Sequence, residues 1–329
     1  MSLNKAAPPP LELKFLSGEA AAAVTASCLL SVYAKKENYV YPDMLDKEYL
    51  ATKIRDGGIQ VFAAVGGSGT PAATLSCKKA QGERAVEITA LAVHPEYRGF
   101  NLGERMTRHL LSECEKAGAS RFYALMVMFH TQSAALYEKL GFVPTGFLFG
   151  VCDAKKHLTQ LEFATQKHSW CLYVKNNAAA DAGAVYVPKC LKALVSEIYA
   201  SAGASVNIAA DACAPAAPGR YSYARDEHHR TLYITVAASG TDLREWLETL
   251  EQEHTLQTAV AYLNISDPGA PHGYETLKAA GYRFAGLKPL CGEHEYMILS
   301  KTGRVLIDRA EFQITESVRR LLERISDQE

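Results

Sequence analysis

The chain of 329 residues is long enough for about two domains of ordinary size. Hydrophobic residues at 48% and charged residues at 22% exclude an intrinsically disordered chain. Against 36 Asp and Glu, 35 Lys and Arg leave no net field that would draw the surface to nucleic acid or an anionic membrane. No apolar run reaches the roughly 18 residues of a membrane span, and Met1–Pro10 lacks the charged head, apolar core and cleavage site of a secretory signal. The eight cysteines are scattered, with no C-x-x-C pair, so reduced buried thiols, no metal and a cytoplasmic location are expected.

Residues 1–10 are read as a disordered segment outside the fold. Leu11–Leu16 alternates as a strand, and Ser17-Gly-Glu introduces an Ala-rich helix to about Lys36. Asp43 is placed as the N-cap of a second helix through Arg55, closed by Asp56-Gly57-Gly58. Ile59–Val65, Ala72–Lys79 and Ala85–Val93 then read as an antiparallel meander, with Gly66–Gly69 as a hairpin turn rather than a phosphate loop. From Gly99 the period becomes helical, with Leu102, Met106, Leu110 and Cys114 on one face. The apolar run Arg121–Phe129 is a strand expected to be buried on both faces, and Thr131–Leu140 is a short helix closed by Gly141.

Residues 176–187 are the best linker candidate, and Pro188 opens an amphipathic helix. Ala200–Gly219 reads as a long connection or an irregular edge. A hairpin tip follows at Asp226-Glu227-His228-His229, where neighbouring histidines point to opposite faces and solvent is favoured over metal. The order strand Thr231–Ala237, helix Asp242–His254, strand Thr258–Ile265 and helix Ala270–Ala280 repeats that of the first half. Near the C-terminus, Ile314, Val318, Leu321, Leu322 and Ile325 share one helical face, which docks on the parent domain.

The chemistry concentrates in Val86–Arg105, where a strand, a tight polar turn and a long helix follow one another. Gly and Asn accept the positive φ that turns successive N–H groups toward one point, and the helix N-terminus adds partial positive charge there. A pyrophosphate fits such a cradle; a simple strand-to-helix bend is the other reading. Leu91-Ala-Val-His-Pro-Glu-Tyr-Arg-Gly-Phe-Asn-Leu-Gly103 resembles the acetyl-coenzyme A signature of the GNAT N-acetyltransferases, with Asn101 where that family usually has Gly. His130–Phe142 resembles a second block of that family, with His130 in place of Asn and Ser133 in place of Ala.

The resemblance covers residues 11–165 and implies an α/β tandem GNAT-like (acyl-CoA N-acyltransferase) fold, a mixed, mostly antiparallel sheet with helices on both faces. It implies that the amides of Arg98, Gly99, Asn101, Gly103 and Glu104 hold the pyrophosphate of acetyl-CoA, that Leu91 and Val93 bond its pantetheine arm, and that His130 adjoins the cofactor. Tyr137 matches the family's general acid, against the alternative of a packed core tyrosine. Glu87 resembles the carboxylate base of several members, against that of a half-exposed strand glutamate; strand alternation places Glu87, Thr89 and Leu91 on one face. His94 and His130 are fallback bases.

The expected organisation is thus a catalytic GNAT domain at 11–175, a linker at 176–187, a degenerate GNAT-like copy at 188–307 and a C-terminal helix at 308–329. In the second copy Ala237-Ala-Ser-Gly-Thr-Asp242 lacks the arginine and glycine spacing, and Leu277 stands where Tyr137 does in the first. The expected activity is acetyl transfer by direct attack of an amine on a small molecule or peptide; the alternative is an acyl-CoA-sensing or scaffold protein. The second copy either walls the acceptor cleft or mediates association, as in a homodimer.

Overall fold

The computed structural model describes residues 10–33, 42–67, 69, 71–79, 84–153, 166–177, 180–210, 212–253, 257–289, 294–303 and 305–328. Nearly all of the N-terminal segment read as disordered, and residues 34–36 to which the first helix is expected to run, lie outside them. The chain divides into two compact units, residues 1–120 with 155–164 and residues 121–154 with 165–329. The division therefore falls inside the stretch 11–175.

In the first unit β1 (Leu11–Leu16), α1 (Gly18–Tyr33), α2 (Lys47–Arg55), β2 (Gln60–Gly66), β3 (Pro71–Lys79), β4 (Ala85–Val93) and α3 (Leu102–Lys116) follow in order. The strands pair as the antiparallel sheet β1-β2-β3-β4. Alternation along β2 and β3 sends Val61 to the α1 side, where Ala21, Leu29, Leu50, Ile59 and Ala92 form one core. Phe62 goes to the other side, where its ring stacks on His109 of α3 at 5.2 Å. The Thr25 and Thr74 hydroxyls bond each other at 3.2 Å, tying α1 to the middle of the sheet.

Asp46, not Asp43, caps α2. Asp43 lies in a short 3-10 turn, Pro42–Leu45, whereas Asp46 is extended and its carboxylate accepts from the amides of Glu48 and Tyr49 at 3.0 and 3.1 Å.

The second unit contains β5 (Arg121–Val127), α4 (Gln132–Lys139), β6 (Val143–Cys152), β7 (His168–Asn176), β8 (Ala180–Val185), α5 (Lys192–Ser201), β9 (Ala204–Ile208), β10 (Arg220–Asp226) and β11 (Thr231–Ala238). It continues through α6 (Leu243–Glu253), β12 (Thr258–Asn264), α7 (Ala270–Ala279), β13 (Arg283–Lys288), β14 (Tyr296–Lys301) and α8 (Glu316–Ser326). Its sheet runs β5-β7-β6-β13-β14-β12-β11-β10, antiparallel except for β11 and β12, and β8 and β9 form a separate parallel pair. The linker candidate thus carries β8, and Ala200–Gly219 carries β9. β6 clusters with the second half because Gly146 pairs with Gly286 of β13.

Two segments of this unit match in detail. After α4 the amide of Gly141 bonds Glu138 O and that of Phe142 bonds Tyr137 O; after α7 the amide of Gly281 bonds Lys278 O and that of Tyr282 bonds Leu277 O. Gly141 and Gly281 both have positive φ, 85° and 91°. Leu277 therefore occupies the structural place of Tyr137.

β5 departs from the expectation of two buried faces: Phe122, Ala124 and Met126 are buried, and the residues between them are half-exposed. The hairpin tip departs as well. His228 is exposed, but His229 is buried, with Nε2 3.7 Å from Cys152 Sγ and its carbonyl accepting from the buried Lys167 ammonium. Seven of the cysteines are free thiols. Among the described residues no helix is long and apolar enough to cross a membrane.

Candidate functional site

The site builds from the end of β4. His94 donates its amide to Ala72 O at 2.9 Å, and its Nδ1 accepts from the Glu96 amide at 3.4 Å, capping a 3-10 turn over Pro95–Tyr97. This use of the ring as a cap fits a structural part for His94. Arg98 is extended, and its Nε donates to Val93 O at 3.3 Å. Gly99 then has φ +91°, and Asn101 takes the left-handed conformation at φ 54°, ψ 25° immediately before α3. A Cβ at Gly99 would meet no atom within 4 Å, so the dihedral and not space favours glycine there.

The N-terminal amides of α3 have no intrahelical carbonyl to bond, and the Asn101 side chain does not cap them. Asn101 O accepts instead from Arg105, starting the helix. Gly99 through Glu104 therefore present backbone amides around a helix N-terminus that favours an anion. The Glu104 carboxylate, which would oppose a phosphate, is held by two 3.0 Å bonds from Arg108 one turn on.

One strand back, the register shifts: Ser76 pairs with Thr89 but Thr74 pairs with Ala92, so Ala90 and Leu91 together oppose Leu75. Ala90, at φ 54°, makes this bulge. Alternation is broken there, and Ala92 rather than Leu91 shares the face of Glu87 and Thr89. Glu87 itself sits opposite Lys78, whose ammonium is 3.2 Å from its carboxylate.

In the second unit, His130 and Tyr137 stand near the two ends of α4. Tyr137 is 2% exposed, with its ring edge-on to Phe142 at 5.0 Å. The His130 ring lies 5.0 Å from that of Phe129, its Nδ1 is buried without a partner, and burial lowers its pKa, which favours the neutral ring.

A model described as the Acetyltransferase (GNAT) family matches residues 28–142. In that part the chain is similar to a GNAT acetyltransferase domain. Solved structures with similarity include a ribosomal-protein-alanine N-acetyltransferase from Brucella melitensis, at 18% identity over 50% of this chain and 99% of that one with a TM-score of 0.41. An IAA acetyltransferase from Bacillus cereus is similar at 18% identity over 50% and 98%, TM-score 0.38. A Salmonella typhimurium protein solved with its cofactor acetyl-CoA is similar at 15% identity over 51% and 95%, TM-score 0.40. No curated protein matches.

Two features of the GNAT domain escaped the reading of its sequence. Tyr33 on α1 lies within the field of Arg98; burial raises its pKa, and the guanidinium opposes that rise. An aromatic in an Ala-rich helix gives no sign of such a neighbour. The bulge at Ala90 is equally silent, because Ala is not a residue that marks positive φ. A cavity of about 490 Å³ lined by Phe15, Ile54, Ile59, Cys77, Val86 and Cys114 lies toward the other end of α3 and is not the cradle. Among the described residues no group of three or more His, Cys, Asp and Glu is placed to hold a metal.

Proposed function

We propose that this chain transfers an acetyl group from acetyl-CoA to an amine of a small molecule or peptide by direct attack. The observation that carries the reading is the pair of positive φ angles at Gly99 and Asn101 directly before an uncapped helix N-terminus. Acetyl-CoA fits this donor set and supplies, when bound, a thioester carbonyl open to a nucleophile. The amides of Gly99, Asn101, Gly103 and Glu104 hold its pyrophosphate, that of Arg98 being already donated to Pro95 O at 3.3 Å, and Leu91 and Val93 offer main-chain bonds to its pantetheine arm. Neither Ala90 nor Leu91 has a partner in the register with β3, which supports that role for Leu91.

Glu87 takes the proton of the attacking amine, with Lys78 holding the carboxylate until it does. Tyr137 gives its phenolic proton to the departing thiolate. His130, whose pKa burial lowers, is assigned beside the cofactor, and its neutral ring is the fallback base. Residues 188–307 are a degenerate copy that does not bind the cofactor, and the reduced thiols fit a reducing compartment.

The non-catalytic alternative, an acyl-CoA-sensing or scaffold protein, is favoured by one observation: Tyr137 is 2% exposed and Glu87 is already ion-paired. Thiol release from acetyl-CoA in the presence of an amine panel separates the two. The enzyme reading expects turnover that Tyr137→Phe lowers by about 100-fold; tight binding without turnover on any amine overturns it.

A further inference from the structure

α4, which carries Tyr137, is short: eight residues, Gln132 to Lys139, with no side-chain cap at Thr131. A helix of two turns is marginal by itself, so its placement depends on what holds it from outside. The strongest hold is on the next residue. One carboxylate oxygen of Glu138 accepts from the Tyr173 hydroxyl at 2.8 Å, from the Thr315 hydroxyl at 2.5 Å and from the Ser317 hydroxyl. Thr315 stands at the N-cap of α8, where a threonine ordinarily bonds the helix amides; here its side chain makes no capping bond and is spent on Glu138. Just upstream, the Gln313 amide donates to Met128 O at 2.9 Å, two residues before His130. Lys175 closes the other end, donating to Leu140 O at 2.7 Å.

The geometry points to the segment Gln313–Ser317 as a latch that sets the position of Tyr137, with Glu138 as its catch, an inference that rests on the acid role given to Tyr137. Glu138, Thr315 and Ser317 are positioning residues and touch no reacting group. Val318, Leu322 and Ile325 bury the inner face of α8, and α8 packs on β6 and β13, so the latch is carried by a rigid element. A segment that follows the last strand of the second half thereby completes the GNAT domain's acid-bearing helix. Misplacing a catalytic group by about 1 Å can cost about 100-fold in rate, so the latch acts on kcat, while the pyrophosphate cradle on α3 leaves KM for acetyl-CoA alone.

The test uses the full chain with Thr315→Ala/Ser317→Ala, Glu138→Ala, Glu138→Gln and Tyr137→Phe. Hydrogen exchange over residues 132–140 is expected to speed by about 10-fold or more in the double variant and in Glu138→Ala, with α3 unchanged. In the same variants kcat falls by about 10- to 100-fold while KM for acetyl-CoA stays within about twofold. Glu138→Gln keeps an acceptor oxygen for the hydroxyls and retains most of the rate. Native exchange and native kcat in the double variant overturn the latch; should that variant not fold, Ser317→Ala alone is read against the same outcomes. Full activity in Tyr137→Phe overturns the acid assignment instead, and the exchange result still decides whether the latch holds α4.

Discussion

Two strand-to-helix junctions of this protein have the same local order and opposite fates. At β4 to α3, Gly99 and Asn101 adopt positive φ and the helix N-terminus is left uncapped. At β11 to α6 the protein spends those groups on itself. The Ser239 amide donates to an Asp267 carboxylate oxygen at 2.7 Å and the Thr241 amide to Ala217 O at 3.1 Å. Asp242 accepts from the Gly219 amide at 2.8 Å and the Tyr221 hydroxyl at 2.7 Å. A helix N-terminus favours negative charge, and the two junctions differ in how they meet that preference: α6 has its own aspartate there, whereas Asn101 makes no side-chain cap on α3. Topology alone therefore does not set how such a junction is used; the bonds made by its backbone do.

The largest expected effect tests how tightly the second junction is closed. A Cβ at Gly240 would lie 1.9 Å from the Gly219 amide nitrogen and 2.6 Å from the Pro218 carbonyl carbon, both backbone. Gly240→Ala should cost about 3 kcal/mol of stability in denaturant unfolding; a cost below about 1 kcal/mol would mean the junction is looser than described.

At the open junction, Gly99→Ala meets no atom and strains only the dihedral. Acetyl-CoA affinity by calorimetry should fall by about 1–2 kcal/mol, with stoichiometry of one per chain in the parent protein. Binding at two sites per chain would break the comparison outright.

A smaller effect concerns acid. Bonds from the Gly219 amide and then the Tyr221 hydroxyl lower the pKa of Asp242. A carboxylate depressed in the folded state contributes stability that is present above its unfolded pKa of about 3.9 and is lost as pH falls through the folded value. Asp242→Asn should therefore flatten the loss of stability below about pH 4, and an unchanged acid limb would remove Asp242 from the account. Smallest of all, Asn101→Gly should leave acetyl-CoA affinity within about twofold, since glycine takes the left-handed conformation more readily than asparagine.

Legibility differed by residue. Arg98 to Gly103 could be read because few residue types accept positive φ, so the text itself betrays the turn. α3 was plain from its period: Leu102, Met106, Leu110 and Cys114 are all buried. Asp43 misled because two aspartates three residues apart both suit an N-cap, and only the 3-10 turn over Pro42–Leu45 chose between them. Leu91 was misassigned a face because the bulge lies at an alanine. His229 was taken for a solvated tip residue, and Cys152 and Lys167, distant in sequence, bury it.

What the amino-acid sequence determined by itself is local: the alternating and helical periods, and a glycine and an asparagine whose backbone freedom aims amides before a helix. These follow from sterics within a few residues. Which bonds close the second junction, and how α4 is held, were decided only by tertiary structure. The Thr315 hydroxyl reaches Glu138 across 177 residues of chain, and such a contact leaves no periodic trace in either partner. Distant segments meet by folding, and the carboxylates and hydroxyls they bring together decide what the local pattern is used for.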